Sequence, residues 1–456
     1  MRSNVCLNAS LLGVGLALST APLPSHADSF EGNYVYTVAN NKATITGFNP
    51  SYSGALTITN ALGGYTVTLI GNNAFYYCTY LTDVTIGSSI IGIGSNAFAN
   101  CGNMAGVAIG NNVTNIGDGA FSGCSSLTSV TIPDSVTGLG SGTFNGCNGL
   151  TGVTIGKGVT RIKDRVFAYC GSLTGITIPT GVTNIGDSAF AHCVGLTGLT
   201  IPNGVTNIGN SAFQSCDGLS SVTFGTRVTR IGNQAFSGCS SLTGVTIPDS
   251  VTGIGDEAFA FCSGLIGVSI GNGVTVIGDG AFMGCSSLTG VTLPDSVRSI
   301  GTAAFVDCTS LRRVTVGNGV TNIGDVAFSS CDSLTDVCFK GEAPATWPDV
   351  FDSSTNAIVY YLPQASTWYT PFSGRPAVLW NPQVQANVNF GVQANRFGFD
   401  ITGNAQIPVV VQSRTNLTFG AWLPLLTDRL GAAGTLYFSD PASPPLPARF
   451  YRIVWP

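Results

Sequence analysis

Cysteine is the residue whose spacing first suggests chemistry in this chain of 456 residues. Twelve cysteines follow one another at intervals of 23 residues: Cys78, Cys101, Cys124, Cys147, Cys170, Cys193, Cys216, Cys239, Cys262, Cys285, Cys308 and Cys331. Neighbouring cysteines could form disulfides or ligate a metal ion. Equivalent residues of stacked units point in parallel, however, whereas a disulfide needs Cβ atoms that face each other. Cys-x-x-Cys pairs and histidine partners are lacking, so the spacing favours buried thiols that fill space.

Cys338 and His192 are the other residues with reactive side chains. Cys338 stands where most strands carry an outward Thr, so it is either an exposed thiol or a cysteine shielded by the following segment. His192 has only ordinary repeat positions around it, without a grouped nucleophile and orienting acid. Acidic residues are scattered singly, so no carboxylate pair for glycoside hydrolysis is apparent. The sequence therefore predicts no catalytic residue, no cofactor and no metal ion.

The cysteines belong to a repeat unit that organises the chain from Phe75 to Phe328. Each unit reads Val-Thr-x-Ile-Gly-(Asp/Asn/Ser/Thr)-x-Ala-Phe-x-x-Cys-x-x-Leu-Thr-x-Val-Thr-Ile-Pro. Alternation at the end of Leu-x-x-Val-x-Ile predicts a short strand. Val-x-x-Ile-Gly is expected to turn the chain back, and Ala-Phe-x-x-Cys to form one or two helical turns on the convex side. Because one unit is too small to fold alone, stacked units should form a parallel sheet.

The residue after the Gly supports the helical interpretation, because every member of this column is a good helix N-cap. The column consists of Asn72, Ser95, Asp118, Ser141, Asp164, Asp187, Asn210, Asn233, Asp256, Asp279, Thr302 and Asp325. The alternative is a column of carboxylates that binds cations, but Ser, Asn and Thr interchange with Asp, which favours capping. The preceding Gly column suggests positive φ, with Lys163 as its one exception.

The unit Ile-Gly-x-x-Ala-Phe-x-x-Cys-x-x-Leu-Thr-x-Val-Thr-Ile-Pro resembles the BspA-type (treponemal-type) leucine-rich repeat over about residues 55–340. The resemblance implies a leucine-rich repeat solenoid with a parallel sheet on the concave face and short helical turns on the convex face. It also implies binding or adhesion outside the cell, often at a bacterial surface. That family has no catalytic residues to carry over.

Both ends of the array depart from the repeat pattern. In residues 1–27, Arg2, the apolar run at 11–18 and the small residues Ser25 and Ala27 predict a signal peptide cleaved after Ala27, and hence a secreted or cell-surface protein. Residues 28–54 are expected to form an N-terminal β-hairpin cap, residues 55–345 about twelve repeats, and residues 346–380 a C-terminal cap. Residues 381–456 predict a small all-β, sandwich-like domain.

Parts of this last domain resemble a C-terminal module seen after such arrays in secreted proteins of verrucomicrobial bacteria. The resemblance rests on Thr415-Asn416-Leu417, on Trp422 and on Arg449-Phe450-Tyr451-Arg452. Retention at the cell surface and a plain accessory fold remain equal alternatives for its role.

Charge and composition limit the class of partner. Charged residues make up only 9% of the chain, and 18 basic residues stand against 23 acidic ones. Removal of the predicted signal peptide takes away one positive charge, Arg2, so the net charge changes from −5 to −6. This balance disfavours nucleic acid and anionic membranes as partners. Beyond the signal peptide, no segment reaches the roughly 18 apolar residues of a transmembrane helix.

The outward strand positions form one column of mostly Gly and one of mostly Thr. The centre of this surface is flat, small and uncharged, and it lacks the Trp, Tyr and Arg side chains typical of protein-binding hot spots. A Thr column also suggests ice binding, but the neighbouring column is mostly Gly, and β-branched residues suit strands in any case. Charges gather at the C-terminal end of the array, where Arg312, Arg313, Asp336 and Lys340 are the candidate partner-binding residues.

Together these features predict an exported, non-enzymatic scaffold that binds an unknown protein or cell-surface macromolecule. The alternative is a structural, ice- or glycan-contacting surface protein without a specific protein partner.

Overall fold

The computed structural model describes residues 28–393, 396–441 and 449–455, so the predicted signal peptide lies outside the described residues. The chain forms a parallel β-solenoid of about 14 turns, followed by two small antiparallel sheets. None of the residues in these ranges is helical. These ranges also contain no helix that could cross a membrane.

The Leu-x-x-Val-x-Ile segments form a parallel sheet that we call the strand face. Each residue pairs with its equivalent in the next unit, as Val130 pairs with Val153. A first group contains Gly54–Thr57, Leu81–Thr85, Gly106–Ala108, Ser129–Thr131 and Gly152–Thr154. A second group contains Gly198–Thr200, Ser221–Thr223, Gly244–Ile247, Gly267–Ile270, Gly290–Thr292, Arg313–Val316, Asp336–Phe339, Ile358–Tyr361 and Ala377–Leu379.

The Val-x-x-Ile segments do more than turn the chain back, because two residues of each unit form a further parallel sheet, the short-strand face. Its first group contains Gly92–Ile93, Asn115–Ile116 and Gly138–Leu139. Its second group contains Arg161–Ile162, Asn184–Ile185, Asn207–Ile208, Arg230–Ile231, Gly253–Ile254, Val276–Ile277, Ser299–Ile300 and Asn322–Ile323. The alternation that reveals a strand spans too few residues here to be recognised in sequence.

The N-terminal end of the short-strand face is antiparallel. Its strands are Ser29–Glu31, Tyr34–Ala39 and Lys42–Phe48, with Ala61–Leu62 beside Tyr65–Ile70. Asn40 and Asn41 form the turn of the main hairpin with φ of 51° and 57°, a conformation that Asn tolerates better than most residues. Lys42–Phe48 then pairs in parallel with Tyr65–Ile70, so the hairpin covers the first solenoid turn.

The Ala-Phe-x-x-Cys segments form the third side, the turn face, and they are not the helical turns that the sequence predicts. Two positions of each unit have positive φ, as at Asn73 (57°) and Tyr77 (59°). Backbone groups bond between units, as in the 2.7 Å hydrogen bond from the Phe75 amide to the Ala97 carbonyl. A helix would satisfy such groups inside one segment, whereas this stack satisfies them from the neighbouring unit.

The column predicted to cap helices is a hydrogen-bond ladder between units. The carboxylate of Asp118 accepts from the Ser141 amide at 2.8 Å, and that of Asp187 accepts from the Asn210 amide at 2.7 Å. Asn72, Asp164, Asn210, Asn233, Asp256 and Asp279 accept in the same way from the next unit. These side chains accept amide hydrogen bonds, but they join units and do not cap a helix.

The glycines before this ladder permit close approach and do not adopt the positive φ that the sequence suggests. A Cβ atom on Gly232 would lie 2.6 Å from the carbonyl carbon of Gly209, within the preceding unit. Lys163 is the one residue of this column with a side chain. The short-strand face divides at this unit, because one group of strands ends at Gly138–Leu139 and the next begins at Arg161–Ile162.

This packing predicts opposite effects for two Gly-to-Ala substitutions. Gly232→Ala should lower the free energy of unfolding by about 1–3 kcal/mol, because the new methyl group overlaps fixed backbone. Gly244→Ala should be neutral or stabilising by up to about 1 kcal/mol, because its Cβ would meet nothing closer than 3.8 Å. Urea unfolding of both variants checks this, and equal losses would contradict the close-approach role.

Apolar columns fill the space between the three faces as one continuous core. From Phe75 to Phe351 successive phenylalanine rings stack with centroids 4.7–5.7 Å apart. The rings are nearly parallel because the units repeat with the same orientation. Each unit thus buries its apolar side chains against two neighbours, and the stack is cohesive although each unit is short.

The C-terminal module follows the last strand of the solenoid. One sheet contains Gln383–Gln385, Gly391–Gln393, Arg396–Thr402 and Thr435–Ser439, and the other contains Pro408–Arg414, Leu423–Arg429 and Phe450–Val454. Phe399 and Ile401 of the first sheet share a buried cluster with Val409 and Val411 of the second. Tyr360 of the solenoid belongs to the same cluster, so the module packs against the array.

Candidate functional site

The cysteine column lies in the core, where its thiols bond between units. Cys101 donates its S–H to the carbonyl of Phe75 at 3.2 Å, 26 residues earlier. The same bond recurs from Cys124, Cys147, Cys170, Cys193, Cys216, Cys239, Cys262, Cys285, Cys308 and Cys331. In the following unit the hydroxyl of Ser354 donates the equivalent hydrogen bond to the carbonyl of Phe328 at 2.7 Å. The thiols therefore act as buried donors as well as space fillers.

Burial also sets the acidity of these thiols. Loss of hydration raises the pKa of Cys193 and of Cys331 to about 12, and it raises the pKa of Cys216 well above its usual value. Reactive cysteines require the opposite shift. Within the described residues, no group of His, Cys, Asp and Glu could hold a metal ion.

The sequence leaves two alternatives for Cys338, an exposed thiol or a shielded cysteine, and the structure shows the shielded one. Cys338 is 4% exposed, and burial raises the pKa of its thiol. It lies next to Tyr360, which pairs with it in the adjacent strand. The C-terminal module packs over this part of the strand face, and the sequence could not show which segment covers it.

Asp336 is buried at the junction between array and module. One carboxylate oxygen bonds to Arg429 of the module and the other lies 3.4 Å from Arg313 of the array. Arg429 also donates to the Tyr360 hydroxyl at 2.8 Å. Two of the candidate partner-binding residues, Arg313 and Asp336, therefore belong to a network that joins the two parts of the chain. That they also bind a partner remains a prediction.

Substitution of Asp336 by Asn should weaken this junction. Breaking a buried ion pair costs about 3–5 kcal/mol, but both arginine side chains are about a third exposed, which reduces the expected loss to about 2–3 kcal/mol. Urea unfolding followed by tryptophan fluorescence would report it, because Trp380 and Trp455 lie at the junction. Asp295→Asn, at an exposed ion pair with Lys340, is the control and should change stability by less than about 0.5 kcal/mol. Equal effects would contradict the network's role.

Lys340 stands beside a groove between the array and the module, which we call the junction groove. The groove has a volume of about 430 Å³ and is lined by Phe339, Tyr361, Trp380 and Trp455, with Lys340 at its side. The lysine side chain is 45% exposed and lies 3.8 Å from Asp295. Aromatic side chains with a cation are the composition of protein-binding hot spots.

A second, polar hollow of about 480 Å³ continues from this groove over the strand face. It shares Thr315 and Lys340 with the junction groove and also contains Arg313 and Asp295. Of the four sequence candidates, Arg313 and Lys340 line this hollow, and the buried Asp336 lies 3.4 Å from Arg313. Arg312 is exposed and directly precedes Arg313 in the chain, but it lines neither hollow. The aromatic wall was missed because Trp380 and Trp455 come from distant parts of the sequence.

The repeated strand, short strand and turn define a leucine-rich repeat solenoid. Residues 51–174, 160–289 and 275–368 match the BspA type leucine rich repeat region, with 6 copies. The chain belongs to this family, as the residue pattern suggests. The match ends at residue 368, so the resemblance of the C-terminal module to verrucomicrobial proteins remains a prediction.

Several solved structures are similar to this chain. A leucine-rich repeat protein from Bacteroides ovatus shares 27% identity, with coverage of 68% of this chain and 94% of that protein and a TM-score of 0.48. A leucine rich cell surface protein from Faecalibacterium prausnitzii shares 29% identity, with coverage of 71% and 96% and a TM-score of 0.44. The pneumococcal vaccine antigen PcpA shares 19% identity, with coverage of 78% and 99% and a TM-score of 0.49. A search of curated proteins found no significant match.

Proposed function

We propose that this chain is an exported, non-enzymatic scaffold that binds a protein partner outside the cell through the junction groove. The observation that supports the proposal most is the contrast between two surfaces. The strand face carries small Gly and Thr side chains, whereas the junction groove combines Trp380, Trp455 and Tyr361 with Lys340. Large aromatic side chains beside a cation supply most of the free energy in typical protein interfaces.

The chemistry of the groove indicates what kind of segment it would accept. Its walls are mainly aromatic and aliphatic, and Lys340 contributes a positive charge at its side. An exposed partner segment with an aliphatic or aromatic side chain next to a carboxylate fits both properties. The predicted signal peptide and the absence of a catalytic motif in the sequence favour an extracellular binding role over an enzymatic one.

Substitution of the two exposed cations tests this proposal. Arg312→Thr and Lys340→Gly introduce residues that other units carry at the same positions, Thr289 and Gly317, so the fold should be retained. Photo-crosslinking of the full chain to envelope and host extracellular extracts should give defined adducts that the double variant loses. Arg227→Gly with Arg230→Asn, which also restores residues of other units, is the control. Identical adducts from the parent and from the R312T/K340G variant would overturn the proposal.

The alternative of a structural or ice-contacting surface remains a prediction. The exposed Thr column of the strand face is its only support. Thermal hysteresis of the purified protein would support the ice-contacting alternative, because only binding to ice lowers the freezing point without lowering the melting point.

A further inference from the structure

The C-terminal module carries a loop at the end that points away from the array. Residues 415–422, which we call the distal loop, join the strands Pro408–Arg414 and Leu423–Arg429. The other end of this strand pair faces the array, because Arg429 pairs with the first residue of the partner strand and bonds to Asp336 of the solenoid. The first strand has seven residues, so the distal loop lies about 20 Å from the junction.

Three large apolar side chains of the distal loop and its edge are exposed. Leu417 is 54% exposed, Phe419 70% and Leu423 62%. The loop is closed by Asn416, whose side-chain oxygen accepts from the amide of Thr418 at 2.8 Å and from its hydroxyl at 2.7 Å. Exposed apolar side chains that are grouped in this way mark a contact with a protein or with a membrane.

Two arginines flank the loop, and neither has a carboxylate partner among the described residues. The guanidinium carbons of Arg414 and Arg452 lie 4.5 Å and 4.4 Å from the ring centre of the half-buried Trp422. The ion pairs of the described residues include neither arginine, and the loop contains no acidic residue. The distal loop and its two arginines are therefore positively charged, although the net charge of the chain is −5.

Both arginines retain hydrogen-bond donors for an anion. Arg414 donates through one Nη group to the Leu417 carbonyl, and Arg452 donates through Nε to the Gln412 side chain at 2.9 Å. Each guanidinium carries several further N–H donors. The indole ring of Trp422 orients both guanidinium groups but neutralises neither charge. Phosphate oxygens suit such donors, because a guanidinium can bind them through two parallel hydrogen bonds.

Apolar side chains next to cations fit the layered chemistry of a lipid surface. In a bilayer the hydrocarbon core lies directly beneath the layer of phosphate groups. Side chains such as Leu417 and Phe419 can enter the outer part of this core, while arginine remains at the phosphates and tryptophan at the boundary. A Cβ atom on Gly420 would meet nothing within 4 Å, and the loop lines neither hollow at the junction. The loop is therefore shaped to enter a partner and not to receive one.

From this arrangement we propose that the distal loop inserts into the surface of an anionic lipid membrane and thereby holds the array at that surface. Leu417 and Phe419 enter the hydrocarbon layer, and Arg414 and Arg452 bind lipid phosphates. The negative net charge of the chain does not oppose this contact. Charges more than about 10 Å from the membrane are largely screened at physiological salt, and the array begins about 20 Å behind the loop.

Co-sedimentation of the full chain with vesicles tests the proposal. The probe is a phosphatidylcholine vesicle with about 30% phosphatidylglycerol, which supplies the negative surface potential. The variant L417S/F419S should lower the partition coefficient by about tenfold or more, because two apolar side chains no longer leave water. Both side chains are exposed, so the urea midpoint should be retained. R452Q should lower the partition coefficient about three- to tenfold, whereas R452K, which keeps the charge, should bind within about twofold of the parent.

Matched variants and a second lipid serve as controls. V194S/F261S removes two exposed apolar side chains of the array and introduces the residues found at Ser240 and Ser215 of other units. It should bind within about twofold of the parent. R312T/K340G should also bind normally, which separates membrane binding from the proposed protein binding. Vesicles of phosphatidylcholine alone should bind at least about tenfold more weakly.

Three results would overturn the proposal. The first is a parent that does not sediment with the anionic vesicles or that binds neutral vesicles equally well. The second is an equal loss of binding in V194S/F261S and L417S/F419S. The third comes from sedimentation velocity without vesicles, where both proteins should have the same oligomeric state. A parent dimer that L417S/F419S converts to a monomer would assign the loop to a second copy of the chain.

Discussion

Above about pH 8.5 the folded array is expected to lose stability steeply, because its core thiols are held protonated. A cysteine in an unfolded chain has a pKa of about 8.5, whereas burial raises the pKa of Cys193 and Cys331 to about 12. Between these values the unfolded state releases protons that the folded state keeps, so the free energy of unfolding falls as pH rises. Each thiol contributes a loss of about 1.4 kcal/mol per pH unit, and one thiol per unit acts along the array.

The measurement is the urea midpoint, followed by circular dichroism from about pH 6 to about pH 9, below the ordinary pKa values of tyrosine and lysine, which are about 10 and 10.4. The midpoint should be nearly constant below about pH 8 and should fall steeply above about pH 8.5. The control variant C216A/C239A/C262A should be less stable at pH 7 because of its cavities, but its pH slope should be roughly a quarter smaller. A parent midpoint that stays flat to about pH 9 would show that the thiols are not buried as described.

Phe213→Ala is expected to be among the most damaging single substitutions in the array. The Phe213 ring is fully buried and stacks at 5.2 Å on both Phe190 and Phe236. Removal of a buried phenylalanine side chain costs about 3–5 kcal/mol. Each unit contacts only its neighbours, so the loss is concentrated at one place and should divide a single unfolding transition into two. Scanning calorimetry would measure both the stability and the number of transitions.

The chain provides a matched control for this substitution. Phe261 is also a phenylalanine of the turn face, but it is 54% exposed. Its backbone φ of 58° strains phenylalanine and alanine alike, so the substitution leaves the backbone strain unchanged. Phe261→Ala should therefore change the free energy of unfolding by less than about 1 kcal/mol. If both variants lose the same stability, the phenylalanine stack is not what holds the units together.

The parts of the fold that recur in every unit could be predicted from the sequence. A column such as Phe121, Phe144 and Phe167 identifies a buried position because it is apolar in every unit. The hydrogen-bonding partners of the polar columns could not be predicted in the same way. Within the sequence of one unit only local amides are available as partners, so Asp118 is predicted to cap a helix. In the structure its carboxylate accepts a hydrogen bond from the Ser141 amide of the next unit.

The functional surfaces were predictable only in part, for a related reason. Arg312, Arg313 and Lys340 were recognised because they are charged residues that break the repeat pattern, and two of them, Arg313 and Lys340, line the same hollow. Asp336 pairs with Arg429, which lies 93 residues later in the C-terminal module. No sequence periodicity connects these two residues.

Residues that repeat in every unit hold the stack together, and we propose that residues that depart from the repeat carry recognition. The most direct test replaces the exceptions Arg312 and Lys340 together by Thr and Gly, the residues that the preceding unit carries at these positions. Crosslinking to extracellular proteins is then compared with the parent. The urea midpoint should be retained while the crosslinks to the partner are lost. Retained binding, or a midpoint that falls by as much as in Phe213→Ala, would contradict this proposal.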